Sequence, residues 1–202
     1  NFRVNKLESK LERDFEKLIS TGNIVAVKAE FEAEGTRIDE LVILSELCCS
    51  KNIPFTLKIG GPSAQRDFYE AFLLGANNIL VPMIESKFAL INSYEIFSRY
   101  VPLFKELKKS PRLFINLESK LSIHNLKSII SLIKERNFMI SSVVIGRTDL
   151  SSSLNIEDVN SSKILEISKE ILKYKDLFDV TVGGNLTSNS FEFMKELTYL
   201  GI

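Results

Sequence analysis

The chain has 202 residues, 26 Lys and Arg against 26 Asp and Glu, a formal net charge of zero and a single histidine. That length suits one domain with a substantial core. Both signs of charge alternate along the sequence, which argues against nucleic acid or an anionic membrane as the main partner, and no apolar run approaches the ~20 residues that span a bilayer. The opening "NFRVNKLESKLERDFEKL" is too charged for the apolar stretch of a secretory signal, so a cytoplasmic location is expected.

Residues 4–21 carry Val4, Leu7, Leu11, Phe15, Leu18 and Ile19 at helical spacing, which predicts a leading amphipathic helix ended by Gly22. "NIVAVKAEF" then reads as a strand, and "TRIDELVILSELCCSKN" as a helix capped by Thr36 or a neighbour. Adjacent Cys48 and Cys49 cannot face each other on a helix, so at least one is a small core residue, with no disulfide framework and no zinc spacing. "IPFTLKI" is a strand followed by the helical "SAQRDFYEAFLLG". "NNILVPMI" is a strand, and residues 86–110 are helical, with a break expected near Pro102. "PRLFINL", "MISSVVIG" and "FDVTVGG" are strands. They are followed by the helices "SIHNLKSIISLIKERN", "SSKILEISKEILKYKDL" and "SNSFEFMKELTYLG".

Strict alternation with continuously apolar strands predicts a parallel sheet covered on both faces. An open doubly wound sheet and a TIM-type (β/α) barrel compete. No G-x-G-x-x-G follows the first strand and no Walker motif occurs, which weakens the first. Lys28, Glu30, Lys58, Glu85, Asn116, Glu118, Arg147, Asp149 and Asn185 stand at the C-terminal ends of strands, as around the catalytic mouth of a barrel. The expectation is one α/β barrel domain over residues 1–202. Six strands are two short of eight, so the barrel is expected to be incomplete or truncated.

Glu118 and Asp149 end consecutive strands, which lie about 4.8 Å apart, so the two carboxylates can converge. Their repulsion requires a shared proton or a cation, and all-oxygen ligation suits Mg²⁺ or Mn²⁺. Each alone could have a plainer task, Asp149 and its serines capping the next helix and Glu118 pairing with a lysine; as a pair, a metal site is favoured. Lys28, Glu30 and Glu32 share one face of an extended strand, and with Arg37 they are the candidates for proton transfer. His124 lies on a helix and reads as a surface or packing residue. The paired glycines of "KIGGPSAQRD" and "TVGGNLTS" are either anion cradles or plain turns, with turns favoured.

The segments "ILVPMIES", "LFINLES" and "VVIGRTDLSSS" resemble the HpcH/HpaI aldolase and citrate lyase β-subunit family over roughly residues 24–202. The resemblance implies a metal-dependent barrel related to the phosphoenolpyruvate/pyruvate enzymes, with Glu118 and Asp149 as metal ligands and Asn116 as a donor to substrate. Two departures stand out. Lys58 occupies the place where the family usually has arginine, and Ala33 aligns with its acid/base histidine. The leading expectation is a lyase, aldolase- or citrate-lyase-like, acting on a 2-oxo acid through a metal-stabilised enolate. Lys58, Glu30 and Lys28 are its candidate catalytic groups, and Asn116, Arg147, Gly146 and Glu32 its candidate substrate contacts, with Arg147 holding a distal carboxylate or phosphate. Two alternatives stay open: a metal-free Schiff base on Lys28 or Lys58, and a catalytically degenerate barrel serving in binding or assembly. Since barrels of this family commonly associate, a homo-oligomer is expected.

Overall fold

A computed structural model of the chain describes residues 6–32, 34–104 and 111–202. Helix α1 (Lys6–Ser20) leads, and Val4 of the expected helix lies outside the described residues. The strands are β1 (Val27–Glu30), β2 (Phe55–Lys58), β3 (Asn78–Val81), β4 (Arg112–Leu117), β5 (Ser142–Gly146) and β6 (Asp179–Gly183). They pair only in parallel, in the order of the sequence. Helices α2 (Ile38–Ser50), α3 (Gln65–Leu73), α4 (Lys87–Phe104), α5 (Lys120–His124), α6 (Leu126–Arg136), α7 (Arg147–Ser153), α8 (Ser162–Leu172) and α9 (Phe191–Tyr199) fill the connections. The six strands form a curled half-barrel, an incomplete TIM-type barrel with β1 and β6 as its two edges.

Alternation along the strands sorts the residues. Phe55, Leu57, Ile79, Val81, Leu113, Ile115, Leu117, Val143, Ile145 and Val182 are buried in the core. The alternate positions carry a polar layer: Asn78 donates to Thr56 Oγ1 at 2.8 Å, Arg112 Nε to Asn78 Oδ1 at 2.9 Å, and the Ser142 and Thr181 hydroxyls pair at 3.1 Å. Further along the same face of the strands stand Lys58, Asn116 and Gly146, where the site lies. No described helix is long and apolar enough to cross a membrane.

Three local features differ from the sequence expectation. Helix α4 continues through Pro102 to Phe104: proline removes only its own bond to the Ser98 carbonyl, and it sits in the last described turn. Residues 105–110 of the expected helix lie outside the described residues. The helix expected after β4 divides at Asn125 into α5 and α6. Finally, β5 runs directly into the short helix α7, which the serine-rich sequence concealed. Its hydroxyls turn back on the backbone, Ser151 donating to the Thr148 carbonyl and Ser153 to that of Leu150. Ser153 Oγ also accepts from Lys120 N at 2.8 Å, fastening α7 to α5.

Arg147 corrects a sequence expectation. Its side chain is fully buried and directed away from the mouth. Its Nε donates to the Gly183 carbonyl at 3.3 Å, Nη2 to the Gly184 carbonyl at 2.6 Å and Nη1 to Asn160 Oδ1 at 2.7 Å, with Phe193 packed 4.8 Å from the guanidinium. With these donors engaged, the guanidinium locks α7 to the end of β6 and is not presented to a substrate. Burial lowers its pKa and the charge of Asp158 acts against that. Both glycine carbonyls are taken by this guanidinium, and Gly184 has a steric reason of its own. Gly184 has φ +84, and a Cβ there would lie 2.6 Å from Thr148 N.

Gly184→Ala should therefore destabilise the chain by about 2 kcal/mol or more, combining left-handed backbone with a clash against α7. Gly61→Ala, with nothing within 4 Å of its Cβ position, should stay within about 0.5 kcal/mol of wild type in the same urea titrations.

Candidate active site

Glu118 follows β4 directly and is 2% exposed. Met83 N–H donates to its Oε1 at 3.0 Å and Asn116 Nδ2 to its Oε2 at 2.6 Å, while Lys58 Nζ stands 3.7 Å from Oε2. Room for this carboxylate exists because residue 146 has no side chain: a Cβ there would lie 2.7 Å from both Cβ and Oε2 of Glu118. Asp149, from β5's side, is exposed and close enough to Glu118 for its charge, or a proton shared between the two carboxylates, to act on it. It is not a helix cap. Gly146 holds the N-cap position of α7 and Asp149 sits in the first turn. Burial pushes the Glu118 pKa up. Lys58 and the Met83 amide pull it down, the charge and hydrogen bond of Asp149 push it up again, and the net is above the ordinary glutamate value.

A line of alternating charge crosses the mouth. Lys28 Nζ lies 3.2 Å from Glu34 Oε1 and 2.9 Å from Glu30 Oε2, and Lys58 Nζ lies 3.8 Å from Glu30 Oε2. Partial burial works against the Lys28 ammonium, but hydrogen bonds and charge from Glu30 and Glu34 outweigh it and raise its pKa. Glu30 is 6% exposed between the two lysines. A cavity of about 330 Å³ is bounded by Lys28, Glu30, Lys58, Asn116, Gly146, Glu118 and Asp149; one of about 230 Å³ adds Glu32, Gly60 and Met83. Around both, the carboxylates Glu30, Glu32, Glu118 and Asp149 outnumber the cations Lys28 and Lys58, four to two.

Asn116, expected as a donor to substrate, gives one amide hydrogen to Glu118, and among the described residues its buried Oδ1 has no hydrogen-bond partner. A buried acceptor in that state calls for a donor or a cation. Among the described residues no three His, Cys, Asp or Glu side chains form a ready-made metal cluster. The oxygens present nevertheless fit magnesium or manganese, which commonly take one or two carboxylates and complete their shell with water and substrate. Glu118, Asp149 and the orphaned Asn116 oxygen supply that donor chemistry.

Lys28, Glu30, Glu32, Lys58, Asn116, Gly146, Glu118 and Asp149 are thus brought together, and Arg147 is not. His124 is exposed at the end of α5, and Ala33 lies outside the described residues. Glu85 accepts from the Ser119 hydroxyl and its carbonyl from Asn125 Nδ2, so it braces the start of α5. A larger hollow, about 420 Å³, lies against Ser45, Cys48, Asn52, Phe55 and Asn77; Glu46 is its one carboxylate and it has no lysine or arginine, so the paired acid groups at the mouth carry the stronger chemistry. The residue that sequence reasoning missed is Met83, whose backbone is left-handed with φ 54. For a non-glycine residue that costs about 1–2 kcal/mol, and no sequence signal marks it.

Residues 59–189 match the family model described as HpcH/HpaI aldolase/citrate lyase. No curated protein matches the chain. Among solved structures, an HpcH/HpaI aldolase/citrate lyase family protein from Burkholderia cenocepacia J2315 superposes with TM-score 0.71 at 11% identity, covering 95% of this chain and 80% of that one. The citrate synthase SbnG gives 0.69 at 14% identity over 92% and 77% of the two chains. Haloferax volcanii malate synthase in a magnesium/glyoxylate complex gives 0.63 at 11% identity, over 86% of this chain and 59% of that one. At these identities the likeness to the solved structures is one of fold.

The raised pKa of Glu118 has a sign that can be measured. In chelator, the stability contributed by its protonated form is present below the ordinary value of about 4.3 and is lost as pH rises through the higher folded-state value. Glu118→Gln keeps the neutral form throughout. Its unfolding midpoint in urea should gain on wild type as pH rises from about 4 to about 8, and parallel curves would contradict the shift.

Proposed function

The chain belongs to the HpcH/HpaI aldolase/citrate lyase family, and from that membership and the geometry of the mouth we propose that it is a divalent-metal-dependent carbon–carbon lyase acting on a 2-oxo acid. One observation carries the reading: buried Glu118 stands beside Asp149 in a mouth where carboxylates outnumber lysines four to two. A divalent cation offsets that excess. Glu118 and Asp149 would hold Mg²⁺ or Mn²⁺, and Asn116 Oδ1 offers a further oxygen of the same donor chemistry. When bound, the ion supplies Lewis acidity toward the keto oxygen of the substrate.

The protein's own groups do the rest. Lys58, within 4 Å of both Glu30 and Glu118, turns its ammonium to the oxygen that gains charge on cleavage, as a point charge in place of arginine's planar fork. Glu30, buried with Lys28 at 2.9 Å and Lys58 at 3.8 Å, is the buried carboxylate of the mouth not assigned to the ion, and it takes the proton-transfer role. Lys28 keeps Glu30 in place. Its raised pKa disfavours the neutral amine that a Schiff base on Lys28 requires.

Isothermal titration with Mn²⁺ in the presence of pyruvate tests the reading. Wild type should bind. Asp149→Asn should weaken binding by roughly 100-fold or more, beyond the 10–100-fold typical of losing an outer-shell partner, with unchanged circular dichroism. Absence of binding by wild type at millimolar metal would leave the degenerate barrel as the better account.

A further inference from the structure

Five non-glycine residues among those described have a left-handed backbone: Asn52, Asn137, Asn155, Asn185 and Met83. Asparagine adopts this conformation readily because its short side chain bonds locally; methionine has no such compensation. The exception falls at the candidate site. Met83 follows buried Pro82 and precedes buried Ile84, so the strain is confined between fixed neighbours, while its own side chain is 47% exposed. The turn directs the Met83 N–H to Glu118 Oε1 at 3.0 Å, and the next amide, Ile84 N–H, to the Asn116 carbonyl at 3.3 Å.

We infer that the left-handed turn at Met83 is a positioning device, in which the backbone of Met83 and the side chain of Asn116 each hold one oxygen of Glu118 and so fix the carboxylate face turned to Asp149. The inference rests on the proposed metal site for its consequence, though not for its geometry. Glu118 would otherwise have a choice of rotamers in a mouth that contains two lysines. A donor on each oxygen removes that choice, and the missing Cβ of Gly146 lets the chosen orientation fit. Met83 acts here through its main chain, so the identity of its side chain matters only by permitting or opposing the turn.

Two measurements decide it. In Mn²⁺ titrations, Met83→Gly and Met83→Asn, which accept the turn, should stay within about threefold of wild type, and Met83→Val, which resists it, should lose about tenfold or more. The opposite ranking, valine retained and glycine lost, would mean that the side chain matters and would overturn the inference. Independently of metal, amide hydrogen exchange should show Met83 protected in wild type and at least about tenfold faster in Glu118→Ala, with Ile84 unchanged as the internal reference. Equal Met83 rates in the two proteins would also overturn it. If wild type binds no Mn²⁺ but Met83 protection still depends on Glu118, the lyase reading fails and the positioning role stands.

Discussion

A carboxylate almost sealed from water beside a second carboxylate is unfavourable in isolation, and the mouth of this half-barrel is organised around relieving that. Glu118 receives one backbone donor and one amide donor, a lysine within 4 Å, and a neighbouring position left empty by Gly146. These contributions come from β2, β4 and the ends of β3 and β5, so the parallel order of the strands is what allows them to meet. What they leave uncompensated is the charge of Asp149. A proton shared with Glu118 would relieve it, as would the cation of the proposed site.

Electrostatics beyond that pair follow the same pattern of partial compensation. Glu34, Lys28, Glu30, Lys58 and Glu118 alternate in sign from the exposed edge of the sheet to its buried centre. The outer members are solvated and their attraction is weakened by salt, whereas Glu30 and Glu118 are nearly buried and keep theirs. The ladder therefore holds its inner end more firmly than its outer end.

Much of this was legible in the sequence. Continuously apolar strands alternating with helices pointed to the parallel sheet, and polar residues at strand ends to the mouth, because both depend only on spacing along the chain. Lys28, Glu30, Lys58, Asn116, Glu118 and Asp149 converge for that reason. Arg147 was misread because its direction is set by the Gly183 and Gly184 carbonyls, 36 and 37 positions further on, which local periodicity does not encode. The glycine pair was ambiguous on the same ground: Gly184 is required by the close approach of Thr148, which lies 36 positions earlier in the chain. Helix α7 was hidden because serine reads as loop when its hydroxyl can bond the backbone, and here those bonds fall within a helix and to its neighbour. The turn at Met83 leaves no trace, since methionine is not a residue that announces a left-handed backbone.

The identity of strand order and sequence order reaches beyond the site. Each strand pairs with the one immediately before it in the chain, so every closure of the sheet joins neighbours in sequence, with no intervening strand. The entropy of loop closure is met in small, similar steps, and the sheet can grow from one edge as a nascent chain lengthens, without waiting for distant residues. Glu118 and Asp149 follow the fourth and fifth strands, which join in the third and fourth of these five closures. Their convergence thus comes late in such a growth, after the hydrophobic layer beneath them has a wall on which to assemble.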